Sequence, residues 1–357
     1  MRFLRIEKRL SPSWKVVFGV SILSIFLAFF VIGFIFFGYG INPINAYIEI
    51  FIETVGNVYG ITQIVWQSIP LLLCGVGLLF AFKASFWNIG AEGQLLMGAV
   101  AATWAALFSG FPDFLMIPMI FGFGFAGGAL WGLLSTVLKT KFRINEVITT
   151  LMMNYIAMNI VLYLIHGPWK GEEMRGFAYT NSFPEAACLP TIGTSYIHWP
   201  TLLIGLFLAA VVFVIISRTK LGYEVKVIGQ SQQAARYAGI YYFRTIFLVM
   251  LISGGFAGLA GAGEVAGVHH MLRHPDQISL GYGYTAIIVA WLARGNSLVT
   301  ILTSFLFGII YVAGDVVQLS FGLPFQIVNV FTGLILFFLI SSENMVHYKV
   351  SLKRKEG

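Results

Sequence analysis

The chain has 357 residues, 58% of them hydrophobic and 10% charged, with a mean hydropathy of +0.85. A soluble domain carries roughly a quarter charged residues, so a water-soluble fold is excluded. The net charge of +7 raises nucleic acid or anionic lipid as partners, and the placement of the charges decides between those readings and a topological one. Cys74 and Cys188, the two cysteines, make neither a disulfide framework nor a metal set.

Hydropathy arrives in blocks of about 16 to 25 residues, the length a helix needs to cross roughly 30 Å of hydrocarbon, and so implies helices rather than barrel strands. Residues 1–15 form a basic start. Val16 to Phe37 is longer than the apolar region of a signal peptide and no small-x-small cleavage site follows it, so it reads as a retained first crossing, 16–38. Ile41 to Gly60 holds Glu49 and Glu53, no Lys or Arg, and apolar residues at helical spacing; it reads as an amphipathic helix on the outer surface. Further crossings are predicted at 61–82, 94–109, 114–138, 147–166, 200–217, 245–265, 280–293, 297–318 and 325–342, ten in all, followed by a basic tail, 343–357. The eighth is short and contains Gly281 and Gly283, which points to a broken or re-entrant helix lining a protected cavity.

With these boundaries, every Lys and Arg except Lys170, Arg175 and Arg273 falls on one side. That bias follows the positive-inside rule, puts both termini in the cytoplasm and removes the need for a nucleic-acid partner. The expected fold is all-α: a polytopic membrane domain over 16–342 with a cytoplasmic loop at 218–244 and a long outer loop at 167–200. The outer loop, with Trp169, Glu172, Glu173, Cys188 and three prolines, is either a lid or docking surface or a solvated connector. An apolar helix, a Gly-rich polar break and a shorter helix occur at Ile69 to Leu107 and again at Leu251 to Ala293; entering from opposite sides, they would make inverted repeats with a solute path between them.

The densest polar signal lies in Phe82 to Met97, where Gly90 and Gly93 interrupt an apolar pattern beside Asn88, Glu92 and Gln94. A broken membrane helix frees backbone groups that lipid cannot satisfy, so polar side chains beside the break mark a protected pathway. Asn154, Tyr155 and Asn159 lie mid-crossing, and Glu264, His269, Tyr282 and Tyr284 come from the second half; with Trp87 they complete the substrate-pathway candidates. Each has a plainer reading: a tyrosine or tryptophan at an interface belongs to an aromatic belt, and Glu264 near a membrane exit is simply hydrated. Glu146 either caps the next helix or gates. Asp315 serves a cation path or a contact between helices. His270 and His274 have metal-like helical spacing, but no further ligands complete a set and Pro275 argues for a helix end.

Phe86-Trp-Asn-Ile-Gly-Ala-Glu-Gly-Gln94 resembles the F-N-I-G-x-E-G-Q signature of bacterial nucleoside and simple-sugar ABC-importer permeases, in the wider superfamily of ribose and branched-chain amino-acid permeases, with Trp87 standing between the Phe and the Asn. Asn145-Glu-Val-Ile-Thr through Asn154-Tyr-Ile-Ala157, Gly229 through Ile240, and Gly281-Tyr-Gly-Tyr-Thr-Ala-Ile-Ile-Val-Ala290 continue it in order, so it spans residues 60–340. The Asn-Glu-Val-Ile-Thr and Asn-Tyr-Ile-Ala pieces look most like the nucleoside branch, with sugar permeases the nearest rival.

The resemblance implies a non-catalytic inner-membrane subunit working with ABC ATPase subunits, a second permease chain that is different in the nucleoside branch, and an extracytoplasmic solute-binding protein or lipoprotein. It also implies that Gly229, Ala234, Ala235, Arg236 and Gly239, in a short helix of the inner loop, couple to the ATPase. The sequence has no Gly-x-x-x-x-Gly-Lys-Ser/Thr loop, so ATP and Mg are expected on the partner and no cofactor on this chain. The alternative from another class is an ion-coupled transporter using Glu92, Glu146, Glu264 or Asp315.

Overall fold

The computed structural model describes residues 2–8, 14–172, 176–324 and 348–354, with ten further positions between 327 and 342. The chain divides into two compact units, residues 1–60 with 310–357, and residues 61–309.

In the first unit, α1 (Trp14–Gly38) ends at a turn where Asn42 accepts hydrogen bonds from the N–H groups of Ile44 and Asn45, and α2 (Pro43–Val55) begins on its proline. An Asx cap followed by proline at the first helical position starts a new helix in a new direction, and the bend is 113°. Thus the amphipathic segment read from 41–60 is a helix. Ala28, Ile32, Phe36 and Ala46 pack with Val317, Leu323, Ile327 and Phe331 as this unit's core. Of the predicted tenth crossing, 325–342, eight of the eighteen positions lie outside the described residues. One feature departs from an all-α chain: β1 (Arg2–Lys8) and β2 (Tyr348–Arg354) pair antiparallel, Arg2 opposite Arg354, which brings the two ends of the chain together. Neither segment is apolar enough to have been read as a span, and short charged ribbons carry no hydropathy signal.

The second unit contains α3 (Val58–Lys83), α4 (Ala91–Phe108), α5 (Asp113–Phe142), α6 (Glu146–His166), α7 (Trp199–Arg218) and α10 (Tyr242–Glu264), with α13 (Ser297–Phe321) entering it. These seven are long and apolar enough to cross a membrane, and each matches a predicted crossing within a few residues. Between α7 and α10 lie α8 (Lys220–Gln230) and α9 (Gln232–Tyr237), and after α10 come a π-helical turn (Val265–His269), α11 (Pro275–Ser279) and α12 (Tyr282–Leu292). At eleven residues, α12 is about 16 Å long, shorter even than expected.

Helices α4, α5 and α10 cross where a Cβ on Gly98 or on Gly128 would strike the backbone of Gly258. Without a hydrophobic drive between helices in lipid, close backbone approach at small residues is what holds such a crossing. The α6–α7 loop is not a solvated connector. Phe183, Ala187, Leu189 and Ile197 are buried in it, and it runs along the turn after α10: Leu189 N–H donates to Ala266 O (2.8 Å), Phe183 N–H to His270 O (2.7 Å) and Thr180 N–H to Leu272 O (3.1 Å).

Candidate functional site

The break predicted beside Gly90 is real: α3 ends at Lys83, α4 starts at Ala91, and the residues between are non-helical. Asn88, fully buried, fills the gap. Its Oδ1 accepts from Gly90 N–H (3.0 Å) and from Gln94 Nε2 (3.0 Å), and its Nδ2 donates to Gln94 Oε1 (2.9 Å) and Ser253 Oγ (3.1 Å). Asn154 completes the work from α6. Its Oδ1 accepts from Gly93 N–H (2.9 Å), while Nδ2 donates to Ile89 O (2.9 Å) and to the Tyr284 hydroxyl (3.3 Å); Thr150 Oγ1 takes Ile89 N–H (3.2 Å). The orphan groups of a broken helix are thereby matched by side chains, as burial requires.

Glu92, in the first turn of α4, reaches the start of α12, where Gly283 N–H donates to its Oε2 at 2.8 Å and Ser279 and the Tyr284 N–H also lie against it. One carboxylate thus sits on two helix N-termini, the electrostatically favourable end for an anion. Glu146 also has a partner, Lys139, across the α5–α6 turn. The cap of α6 is Asn145, whose Oδ1 accepts from Val147 N–H at 2.9 Å, so the capping role considered for Glu146 belongs to its neighbour.

The other pathway candidates separate. Trp87 is exposed with its ring 5.2 Å from that of Phe82. Tyr155 and Asn159 lie on the open face of α6, where Asn159 Nδ2 donates to Tyr155 O (2.8 Å). Tyr282 is buried, and Tyr284 is 38% exposed. His269 ends the π turn, His270 takes a left-handed conformation (φ 51°) and His274 caps α11, so the helical face imagined for a metal site does not form.

Glu264, at the end of α10, joins residues that sequence reasoning missed. Its Oε1 is 3.9 Å from Nε2 of His198, both side chains being 1% exposed. Oε1 of Glu264, both ring nitrogens of His198 and Oγ1 of Thr201 have no hydrogen-bond partner among the described residues. The available signal was the position of His198, immediately before Trp-Pro at the start of an apolar run, where helix N-caps sit; it is indeed the N-cap residue of α7.

Of the coupling candidates, Ala234, Ala235 and Arg236 lie in α9, with Gly229 before it and Gly239 after it. Ser231 Oγ accepts from Ala234 N–H (3.2 Å) to start α9, Ala235 is buried beneath it, and Gly239 (φ 73°) ends the turn that follows. Gln232, Gln233, Arg236 and Gly239 line a recess of about 560 Å³, and Tyr237 beside them is 94% exposed. Gly229, at the end of α8, lies so close to the Lys83 carbonyl that a side chain there would collide with it, and its own carbonyl accepts from Ser85 Oγ at 2.8 Å. The loop carrying α9 is therefore joined to the break before α4. Within the segment read as a cytoplasmic loop, 218–244, Lys220–Gln230 is helix α8, capped by Thr219, whose hydroxyl accepts from Gly222 N–H (3.2 Å).

Residues 60–340 match the family model described as "Branched-chain amino acid transport system / permease component". The chain belongs to this family. Among curated relatives, the permease is 34% identical to the glucose ABC transporter permease protein TsgB13 of Haloferax volcanii, over 97% of this chain and 92% of that one. It is 32% identical to the nucleoside ABC transporter permease protein NupB of Lactococcus lactis, over 90% of both chains. It is 30% identical to the guanosine ABC transporter permease protein NupP of Bacillus subtilis, over 88% and 91%. The same three organisms each hold a second, more distant permease relative, 23% to 27% identical. The permease is accordingly a non-catalytic, multi-pass subunit of an ABC transporter in the cell membrane, of the nucleoside and sugar import group. It works with ATPase subunits, a second permease and a binding protein.

Proposed function

We propose that this permease carries nucleosides inward, paired with a second, different permease chain, and that ATP hydrolysed on the partner subunits drives it through α9. The observation that carries the coupling half is α9 itself: a six-residue helix bounded by its own cap and a left-handed glycine, presenting Gln233, Arg236 and Tyr237 outward beside a recess. Its loop meets the transmembrane break at Gly229 and Ser85, so a displacement of α9 has a rigid route to the Asn88 network. The permease would contribute differential binding between two states and no covalent chemistry.

The nucleoside half is supported by the Asn145 to Thr149 and Asn154 to Ala157 pieces and by two relatives named for nucleosides; a relative named for glucose supports the sugar reading. Two of the acids of an ion-coupled mechanism favour it little, because Glu92 is held by backbone N–H groups and Glu146 by Lys139.

The test is reconstitution in lipid vesicles with the partner permease, ATPase and binding protein, measuring labelled uridine, adenosine and ribose uptake with and without ATP. ATP-dependent nucleoside uptake, abolished by Ala235→Trp and by Gly239→Val at normal assembly, is expected. Uptake driven by an ion gradient without the ATPase would overturn the mechanism, and ATP-dependent uptake of ribose alone would overturn the cargo.

A further inference from the structure

Helix α6 buries one side in the second unit and leaves the other open. The open side is a continuous stripe at helical spacing: Ile148, Met152, Tyr155, Ile156, Asn159 and Tyr163. Tyr155 and Asn159 stand near the middle of α6, away from the interfaces where tyrosines anchor a membrane helix. An amide and a phenol turned toward hydrocarbon at that depth are costly, so a wet cavity or a polar partner fits this face better than lipid.

Beside the stripe lies Tyr284, from the first turn of α12. Its hydroxyl oxygen accepts from Asn154 Nδ2 (3.3 Å), and that amide is fixed in turn by Gly93 and Ile89. Because the phenol oxygen accepts this bond, its own hydrogen remains to be donated toward the open side. The phenol of Tyr155 is near enough to interact electrostatically with that of Tyr284, and the Tyr155 ring is 54% exposed. One turn on, Asn159 uses one amide hydrogen on the Tyr155 carbonyl and keeps its oxygen and second hydrogen for another partner. No Lys or Arg occurs in α6 or α12, and the carboxylate nearest this face, Glu92, is buried and occupied by the start of α12.

We propose that Tyr155, Asn159 and Tyr284 form a cargo-contact site for the flat, uncharged base of a nucleoside, with the Tyr155 ring as the stacking platform and Asn159 and the Tyr284 hydroxyl reading the polar edge. The proposal rests on the nucleoside reading above and adds to it the residues that recognise the base. The chemistry selects a planar ring because an aromatic face gains most from stacking on another π surface. It disfavours a nucleotide, whose phosphate would meet no cation here. A free sugar would use the hydrogen-bonding groups and lay only its C–H face on the ring, a poorer match than a planar base.

The experiment uses the assembled transporter in vesicles with its binding protein, first unmodified, then carrying Tyr155→Leu, Tyr155→Phe or Tyr284→Phe. Tyr155→Leu is expected to lower ATP-driven uridine and adenosine uptake roughly 10-fold, about 1.4 kcal/mol, with Tyr155→Phe retaining it. Tyr284→Phe, which keeps the ring and removes the donor, should alter the ratio of uridine to adenosine uptake. In parallel, 4-thiouridine is photo-crosslinked to the unmodified transporter and the modified peptides are identified; label is expected in α6 or α12. Tyr155→Leu leaving nucleoside uptake within twofold of the original, or crosslinks confined to other helices, would overturn the site. Equal loss in Tyr155→Leu and Tyr155→Phe would also overturn it, since a stacking role survives loss of the hydroxyl. An unmodified transporter that moves ribose and no nucleoside fails before any variant is made, which is failure of the nucleoside reading rather than of the residues.

Discussion

Two buried polar clusters in the second unit were made in opposite ways. Around Asn88 and Asn154, donors and acceptors are matched one to one, including backbone groups released by the break before α4. Around Glu264 and His198, two ionisable side chains lie 3.9 Å apart at 1% exposure, with Thr201 beside them, and the facing atoms have no hydrogen-bond partner among the described residues. The first cluster is cement, because each member answers a neighbour's need. The second sets Glu264 and His198 face to face beyond hydrogen-bond distance, and Gly263 and Gly267 press against it.

The largest effect should follow from breaking the first cluster. Asn154→Ala leaves Gly93 N–H and Ile89 O without their partner, and at roughly 1 kcal/mol or more for each backbone group the loss is about 2 kcal/mol. The thermal midpoint of the detergent-purified permease reports it, and a drop no larger than that of a surface substitution would deny the cement role. Glu264→Gln should cost less, under about 1 kcal/mol, because the isosteric amide keeps the volume and breaks no hydrogen bond of Oε1 among the described residues. If the same thermal measurement gave a loss as large as that of Asn154→Ala, Glu264 and His198 would be a bound pair and the contrast between the clusters would disappear.

The smallest effect is kinetic and concerns the loop that covers the second cluster. Cys188 is partly buried, and burial, with Glu185 beside it, pushes its thiol above the ordinary range. The thiolate is the reactive form, so modification of Cys188 by a membrane-impermeant maleimide should be slower at pH 7 than that of a free cysteine and should quicken as pH rises through 9. Cys74 is fully buried and should not react. Labelling of intact cells is expected, because the loop is assigned to the outside; labelling only after the membrane is opened would invert the topology.

Much of this was legible in the sequence because it depends on runs and neighbours. Seven of the predicted crossings coincide with α3, α4, α5, α6, α7, α10 and α13, since a membrane helix is declared by some twenty apolar residues in succession. The break at Gly90, the short α12 and the helix at Gln232 were visible for similar local reasons. His198 and Glu264 were not paired in advance: they are far apart in sequence, and no spacing rule links a residue before α7 to one ending α10. The α8 helix was read as a linker because charge and glycine masked the spacing of Val225 and Ile228, both buried.

By itself the sequence determined that this chain lives in a membrane, roughly where it crosses, and through ordered motifs which family it belongs to. Hydropathy and local capping act over one to six turns and need no knowledge of the rest of the chain. Only the tertiary structure decided that Asn88, Gln94 and Asn154 are spent on one another and on the backbone, while Tyr155, Asn159 and Tyr284 keep groups free. The same amide is cement or contact according to whether a neighbouring helix has already taken its hydrogen bonds, and that depends on packing between residues sixty to two hundred positions apart, as Asn154 with Gly93 and Gly283 with Glu92.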